Sequence, residues 1–140
     1  MNNLKSIINS FDGFASQHPI IQTFTWGQLS DVGRNNEPLN FPLLHVIPLP
    51  STVNDTYTDF VFNIIIADQL DDEEINQLDV VEMSYEILQD FITYYINKKT
   101  ENSFYVEPPF TFTPFLDRFT KVMAGVEAQI TFRVEGSYCL

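Results

Sequence analysis

From Val126 to Glu135 the chain alternates without a break. Val126, Ala128, Ile130, Phe132 and Val134 are apolar, and Glu127, Gln129, Thr131, Arg133 and Glu135 stand between them. Successive side chains of a strand point to opposite faces, so this period of two predicts a strand with one dry face and one wet face. Such a strand belongs to a sheet covered on one side only. A second long pattern supplies the cover. Ile75, Leu78, Val81, Tyr85, Leu88, Ile92 and Tyr95 form one helical stripe, and Val80, Met83, Ile87, Phe91 and Tyr94 form another beside it. Asp71, Asp72, Glu73 and Glu74 suit the positive end of a helix dipole, and Lys98 and Lys99 suit the negative end. A helix over about Asp72 to Asn97 is predicted, roughly 26 residues and roughly 39 Å long. That exceeds what a small sheet needs for cover, so the second stripe is expected to overhang and meet something else.

The remaining elements are shorter. Leu4, Ile7, Ile8, Phe11 and Phe14 recur at helical spacing, with Asn2 or Asn3 as N-cap and Gly13 followed by His18-Pro19 as the stop. Ile20 to Trp26 reads as a strand closing at Gly27, and the polar stretch from Gln28 to Pro42 as a long loop. Leu43 to Leu49, hemmed by Pro42, Pro48 and Pro50, suits an edge strand. After a turn over Ser51 to Asp55, Tyr57 to Ala67 is the strongest strand, with Phe60, Phe62, Ile64 and Ile66 on the core side. Two successive strands joined by a short turn are expected to pair as a hairpin. Phe104 to Val106 reads as a short strand, and Pro108-Pro109 through Pro114 as an extended segment whose prolines bar regular ladder pairing. Together these elements predict one α+β domain over residues 1–140: a mainly antiparallel sheet of four to five strands packed against one long and one short helix.

Composition narrows the function. Thirteen Phe and six Tyr are more bulky apolar surface than a disordered chain carries, and part of it is expected to be buried against other subunits. A net charge of −12 argues against holding DNA or RNA by its phosphates. The single Cys139 has no partner for an internal disulfide, so folding in a reducing, intracellular setting is expected. The opening Met-Asn-Asn-Leu-Lys lacks the features of a signal peptide, and no run approaches 18 apolar residues, so neither export by that route nor membrane insertion is expected.

No residue pattern predicts catalysis, a metal site or a cofactor. The carboxylates between Asp68 and Glu74 lack the glycine turn and ligand spacing of a calcium loop. His18 and His45 are 27 positions apart with no further spaced ligand, and read as a turn residue and a strand residue. Cys139 has no evident base or electropositive pocket to activate it. No nucleophile elbow, dinucleotide fingerprint or phosphate-cradling loop occurs. The chain is therefore read as a non-enzyme. Trp26, alone of its kind, suits an anchor in a core or at an interface.

The run Pro114-Phe-Leu-Asp-Arg-Phe119, continuing through Val122-Met-Ala-Gly-Val-Glu-Ala-Gln-Ile-Thr-Phe132, resembles phage virion proteins of the neck and tail, in which a hydrophobic-Ala-Gly-hydrophobic phrase opens a terminal alternating strand. His18-Pro-Ile-Ile-Gln-Thr-Phe-Thr-Trp-Gly27 and Phe41-Pro-Leu-Leu-His-Val46 resemble that group in the same order, so the likeness covers most of the chain. The resemblance, to tail terminator and tail-completion proteins, implies a small α+β protomer that forms a homo-oligomeric ring of six or twelve copies. Its partners would be other neck and tail proteins such as portal, connector or tail tube. DNA would pass through without specific binding, and the protein, made in the host cytoplasm, would reside in the virion.

For such a protomer the expected subunit interface draws on Trp26, on Phe91 and Tyr94 of the wide helix face, and on the proline-rich arm from Glu107 to Phe119. In the arm the candidates are Phe110, Phe112, Phe115, Leu116, Arg118 and Phe119. The alternative reading is a small soluble protein-binding module, such as a host-interaction factor.

Overall fold

The computed structural model describes residues 4–27, 40–69, 76–98, 104–118 and 123–135, with backbone alone for Asp117 and Arg118. In chain order the elements are α1 (Leu4–Gln17), β1 (Thr23–Trp26), β2 (Leu43–Val53), β3 (Tyr57–Gln69), α2 (Gln77–Asn97), β4 (Phe104–Glu107), β5 (Phe112–Arg118) and β6 (Met123–Glu135). The fold is α+β, with both helices on one face of a mostly antiparallel sheet. The sheet has six strands rather than four or five, ordered β1-β2-β3-β6-β4, with β5 also paired to β6.

The long alternating strands form the centre. β3 and β6 pair antiparallel from Tyr57↔Glu135 to Gln69↔Met123, and this register puts Phe62, Ile64 and Ile66 beside Ile130, Ala128 and Val126. These side chains face the helices and are fully or almost fully buried. β2 and β3 form the expected hairpin. Asn54 closes its turn, its Oδ1 accepting from the backbone N–H groups of Thr56 and Tyr57.

β2 is an edge strand over only part of its length. β1 pairs with it in parallel from Leu43 to Val46, so that half is internal. Pro48 and Pro50 lie beyond the pairing with β1, where a missing N–H costs nothing on the open side.

The proline-rich arm pairs more than its sequence suggests. β4 and β5 lie end to end along the same edge of β6, and residues 108–111 between them interrupt the ladder. Pro114 nevertheless sits inside β5, opposite Val126, because an edge strand offers solvent to the side that lacks a donor.

Both helices depart from the pattern in detail. α1 runs through Gly13, because Phe14 and Ala15 beyond it are buried and keep the chain helical. It stops at Gln17, where Pro19 disfavours a helical His18. The expected caps Asn2 and Asn3, the carboxylates Asp71 to Glu74, Lys99 and most of the loop from Gln28 to Pro42 lie outside the described residues. α2 is described from Gln77, with the N–H of Val80 bonded to the carbonyl of Asn76.

The second stripe of α2 does not overhang. Val80, Ile87 and Phe91 are buried within the chain together with Leu88, Ile92 and Tyr95 of the first stripe. Leu78, from the first stripe, is the residue left 77% exposed. The reason is α1, which packs beside α2 and widens the cover. Phe11 touches Phe62, Phe91, Tyr95 and Phe132 at ring-centroid distances of 5.1 to 5.8 Å. A buried ring of this size stabilises the fold by about 1.5–3 kcal/mol.

Candidate interaction surface

The sheet carries polar side chains on much of its helix-free face, and one end of that face is fully paired. Arg133 donates to both carboxylate oxygens of Asp59, at 2.8 and 3.0 Å, and its guanidinium lies 3.7 Å over the Tyr57 ring. Glu107 stands 3.4 Å away. These contacts hold Arg133 above its ordinary value, chiefly through the hydrogen bond to Asp59. Tyr105 donates to Glu135 at 2.7 Å, which raises its phenol in turn. This network ties β3, β6 and β4 together and leaves Arg133 committed to neighbours in its own chain.

The histidines are also committed. His45 is buried on β2. Its Nε2 donates to the Gly27 carbonyl at 3.2 Å, and its Nδ1 accepts from the Thr25 hydroxyl at 2.6 Å. His18 accepts from the Ile20 N–H through Nδ1, which leaves Nε2 to donate to Asp90 at 2.9 Å. Both pin β1 and its approach to the rest of the fold. Among the described residues no group of three or more His, Cys, Asp or Glu could hold a metal ion, and no helix is long and apolar enough to cross a membrane. Asp68 is the described part of the acidic stretch, and burial raises its carboxyl against a hydrogen bond from the Gln69 N–H. Cys139 lies outside the described residues.

A hollow of about 390 Å3 on the helix-free face is lined by Ile47, Leu49, Asn63, Thr113 and Gln129 among others. It mixes amides and aliphatics with the Thr113 hydroxyl and the Glu127 carboxylate, which belong to paired residues of β5 and β6. The second hollow differs in chemistry. Gln77, Leu78 and Val81 of α2 and Pro114, Phe115 and Leu116 of β5 line a groove of about 500 Å3. Leu78 and Leu116 flank it at 77% and 51% exposure. This is an apolar trough at one edge of the sheet.

Among the described residues the opposite edge is formed by β1 and, beyond it, by the second half of β2. No charged residue occurs from Pro19 to Gly27 or from Asn40 to Asn54. Charges are a common guard of open strand edges, and here they are absent. Trp26 ends β1 at 58% exposure, so it is no core anchor.

The expected interface residues therefore divide. Trp26 and Leu116 are exposed. Phe110 and Phe112 are half-buried against the main core, Phe112 lying 5.8 Å from the Tyr85 ring, and Tyr94 packs on Phe14 at 5.4 Å. Two expectations need correction. Phe91 is fully buried between α1 and the sheet, so no neighbour can reach it. Phe115 is 6% exposed because it closes a small second core with Leu43, Ile65, Ala67 and Met123 on the other face of the sheet, showing the groove only its rim. The side chain of Arg118 and the whole of Phe119 lie outside the described residues. Sequence reading missed Leu78 and Val81 as groove walls, although a stripe wider than one neighbour can cover was the available signal.

No protein-family model matches the chain, and no curated protein matches it.

Proposed function

We propose that the chain is a structural virion protein that forms a ring in the phage neck or tail, as a tail terminator or head-to-tail joining protein. It acts by contacts among its copies and with portal, connector or tail-tube proteins, around a channel for DNA and without turnover. The observation that carries this reading is the pair of unlike apolar edges that stand uncovered on one sheet among the described residues: the uncharged β1 edge ending in Trp26, and the Leu78–Leu116 groove beside β5. A contact between two different patches of identical subunits repeats from copy to copy and closes into a ring when the rotation allows. The charge of −12 suits a channel that must not hold phosphates. Asp79, Glu82, Glu86 and Asp90, exposed along α2, form a surface of that kind.

The test is the mass and negative-stain image of the purified chain, alone and mixed with its portal, connector and tail-tube partners. Rings are expected. A compact monomer at high concentration that ignores those partners overturns the reading, and if it captures a single host protein the chain is a binding module instead.

A further inference from the structure

The two exposed apolar features stand at one level of the sheet. Trp26 pairs with Val46, Val46 with Ile64, Ile64 with Ala128 and Ala128 with Phe112, so one unbroken row crosses from the β1 edge to the β5 edge. Pro114, in the groove wall, lies two residues along from Phe112, about 7 Å at about 3.3 Å per residue. The layer also agrees. Phe24 packs against the core beneath the helices, and Trp26, two residues on, projects to that same side, where Leu78 and Val81 stand on α2. An indole on one edge and an apolar trough on the other therefore face opposite ways, in the same layer and at nearly the same height.

We propose that Trp26 of one copy seats in the groove between α2 and β5 of the next copy, which rests on the ring reading and names its subunit contact. Charge favours this occupant. Copies carrying −12 each repel unless the surfaces that meet are uncharged. The residues that would meet, Pro19 to Gly27 on one copy and the groove-lining Gln77, Leu78, Val81 and Pro114 to Leu116 on the next, include no Asp, Glu, Lys or Arg, with Asp79 and Glu82 exposed beside them on α2. Size sets the extent of the contact. One large aromatic buries about 150–250 Å2, whereas a stable interface buries about 1,200–2,000 Å2 in total. The indole is thus the anchor, and the uncharged strips around it supply the remaining area. A tryptophan seated in an apolar pocket is the usual form of a hot spot.

The full chain carries one tryptophan, so its fluorescence reports this contact directly. On assembly the Trp26 emission is expected to move to shorter wavelength, and W26E and L116E are each expected to weaken self-association at least about tenfold while keeping the circular dichroism of the parent. Mixed together, W26E still offers a groove and L116E still offers an indole, so the pair is expected to form a dimer of about twice the monomer mass and nothing larger. If the parent forms rings while Trp26 emission stays unchanged and both variants still assemble, the contact is refuted and the ring reading stands. Rings accompanied by loss of binding to another virion protein, rather than to its own kind, in W26E refute it as well. A parent chain that never assembles, alone or with virion partners, sinks the ring reading and the contact with it. Should either variant misfold, the emission of the parent decides.

Discussion

Gly125 lies so close to the β3 backbone that a methyl group added to it would collide with the carbonyl oxygen of Ile66 and come within 2.9 Å of the Ala67 Cα. It sits opposite Ala67 in the ladder and opposite Phe115 on its other side, so the sheet there is built around a missing side chain. Gly125→Ala is expected to destabilise the fold by about 1–3 kcal/mol through forced backbone shifts. Gly13, inside α1, has nothing within 4 Å of a built Cβ, and Gly13→Ala is expected to stabilise by about 0.5–1 kcal/mol. Urea unfolding of the two variants checks both signs, and equal effects would contradict the account.

Phe11 is the residue through which α1 reaches the sheet and α2 together, with four aromatic rings around it. Phe11→Ala is expected to cost about 3–5 kcal/mol, and Phe11→Leu distinctly less, because leucine refills part of the cavity. Denaturant midpoints measured side by side decide it. A loss below about 1 kcal/mol for the alanine variant would show that α1 contributes little to the core.

Tyr95 is 1% exposed, and its hydroxyl meets Ser10 Oγ at 2.6 Å. The Ser10 hydroxyl donates to the Ile7 carbonyl, so Tyr95 is the donor of the pair. Burial pushes the phenol above its ordinary value of 10.0, and Tyr94 raises it further. The folded chain therefore holds this proton more tightly than the unfolded chain. The stabilisation is complete below about pH 10 and is lost as pH rises above that value. Tyrosinate absorbance should show one of the six tyrosines resisting titration until the chain unfolds. Tyr95→Phe should cost about 1 kcal/mol at neutral pH and flatten the alkaline loss.

Arg133 binds Asp59 through two nitrogens and Glu107 through one longer contact. Asp59→Asn is therefore expected to lower the thermal midpoint more than Glu107→Gln does. Arg133→Lys should also lower it despite the kept charge, since an ammonium cannot fork across a carboxylate while lying flat on Tyr57. The reverse ranking of the two acidic variants would mean that β4, not β3, is what Arg133 secures.

Much of the architecture was legible because both long strands and the long helix carry clean periods. β6 alternates from Val126 to Glu135, and the Phe60–Ile66 side of its partner β3 matches its apolar residues one for one. Burial of α2 was harder to read. Two adjacent stripes left open which residues face inward, and the presence of α1 beside Phe91 and Tyr94 settled it. The arm was read as unpaired because proline removes a donor, yet Pro114 pairs across from Val126 since its donorless side faces outward. Of the candidate surface, Trp26 was singled out from residue type and Leu116 from its place in the proline-rich arm. Leu78 was not, because periodicity places it on an apolar stripe without saying where the neighbouring layer ends.

By itself the order of residues determined which segments alternate, which coil, and that β6 has a wet face from Glu127 onward, since these follow from the geometry of a single strand or helix. Only the tertiary structure decided that β1 runs parallel to β2, that Phe91 and Phe115 turn inward while Trp26 and Leu78 turn outward, and that one row joins Trp26 to Phe112 across four ladders. Periodicity assigns a side chain to a face, and which faces are covered depends on elements distant in the chain that pack there.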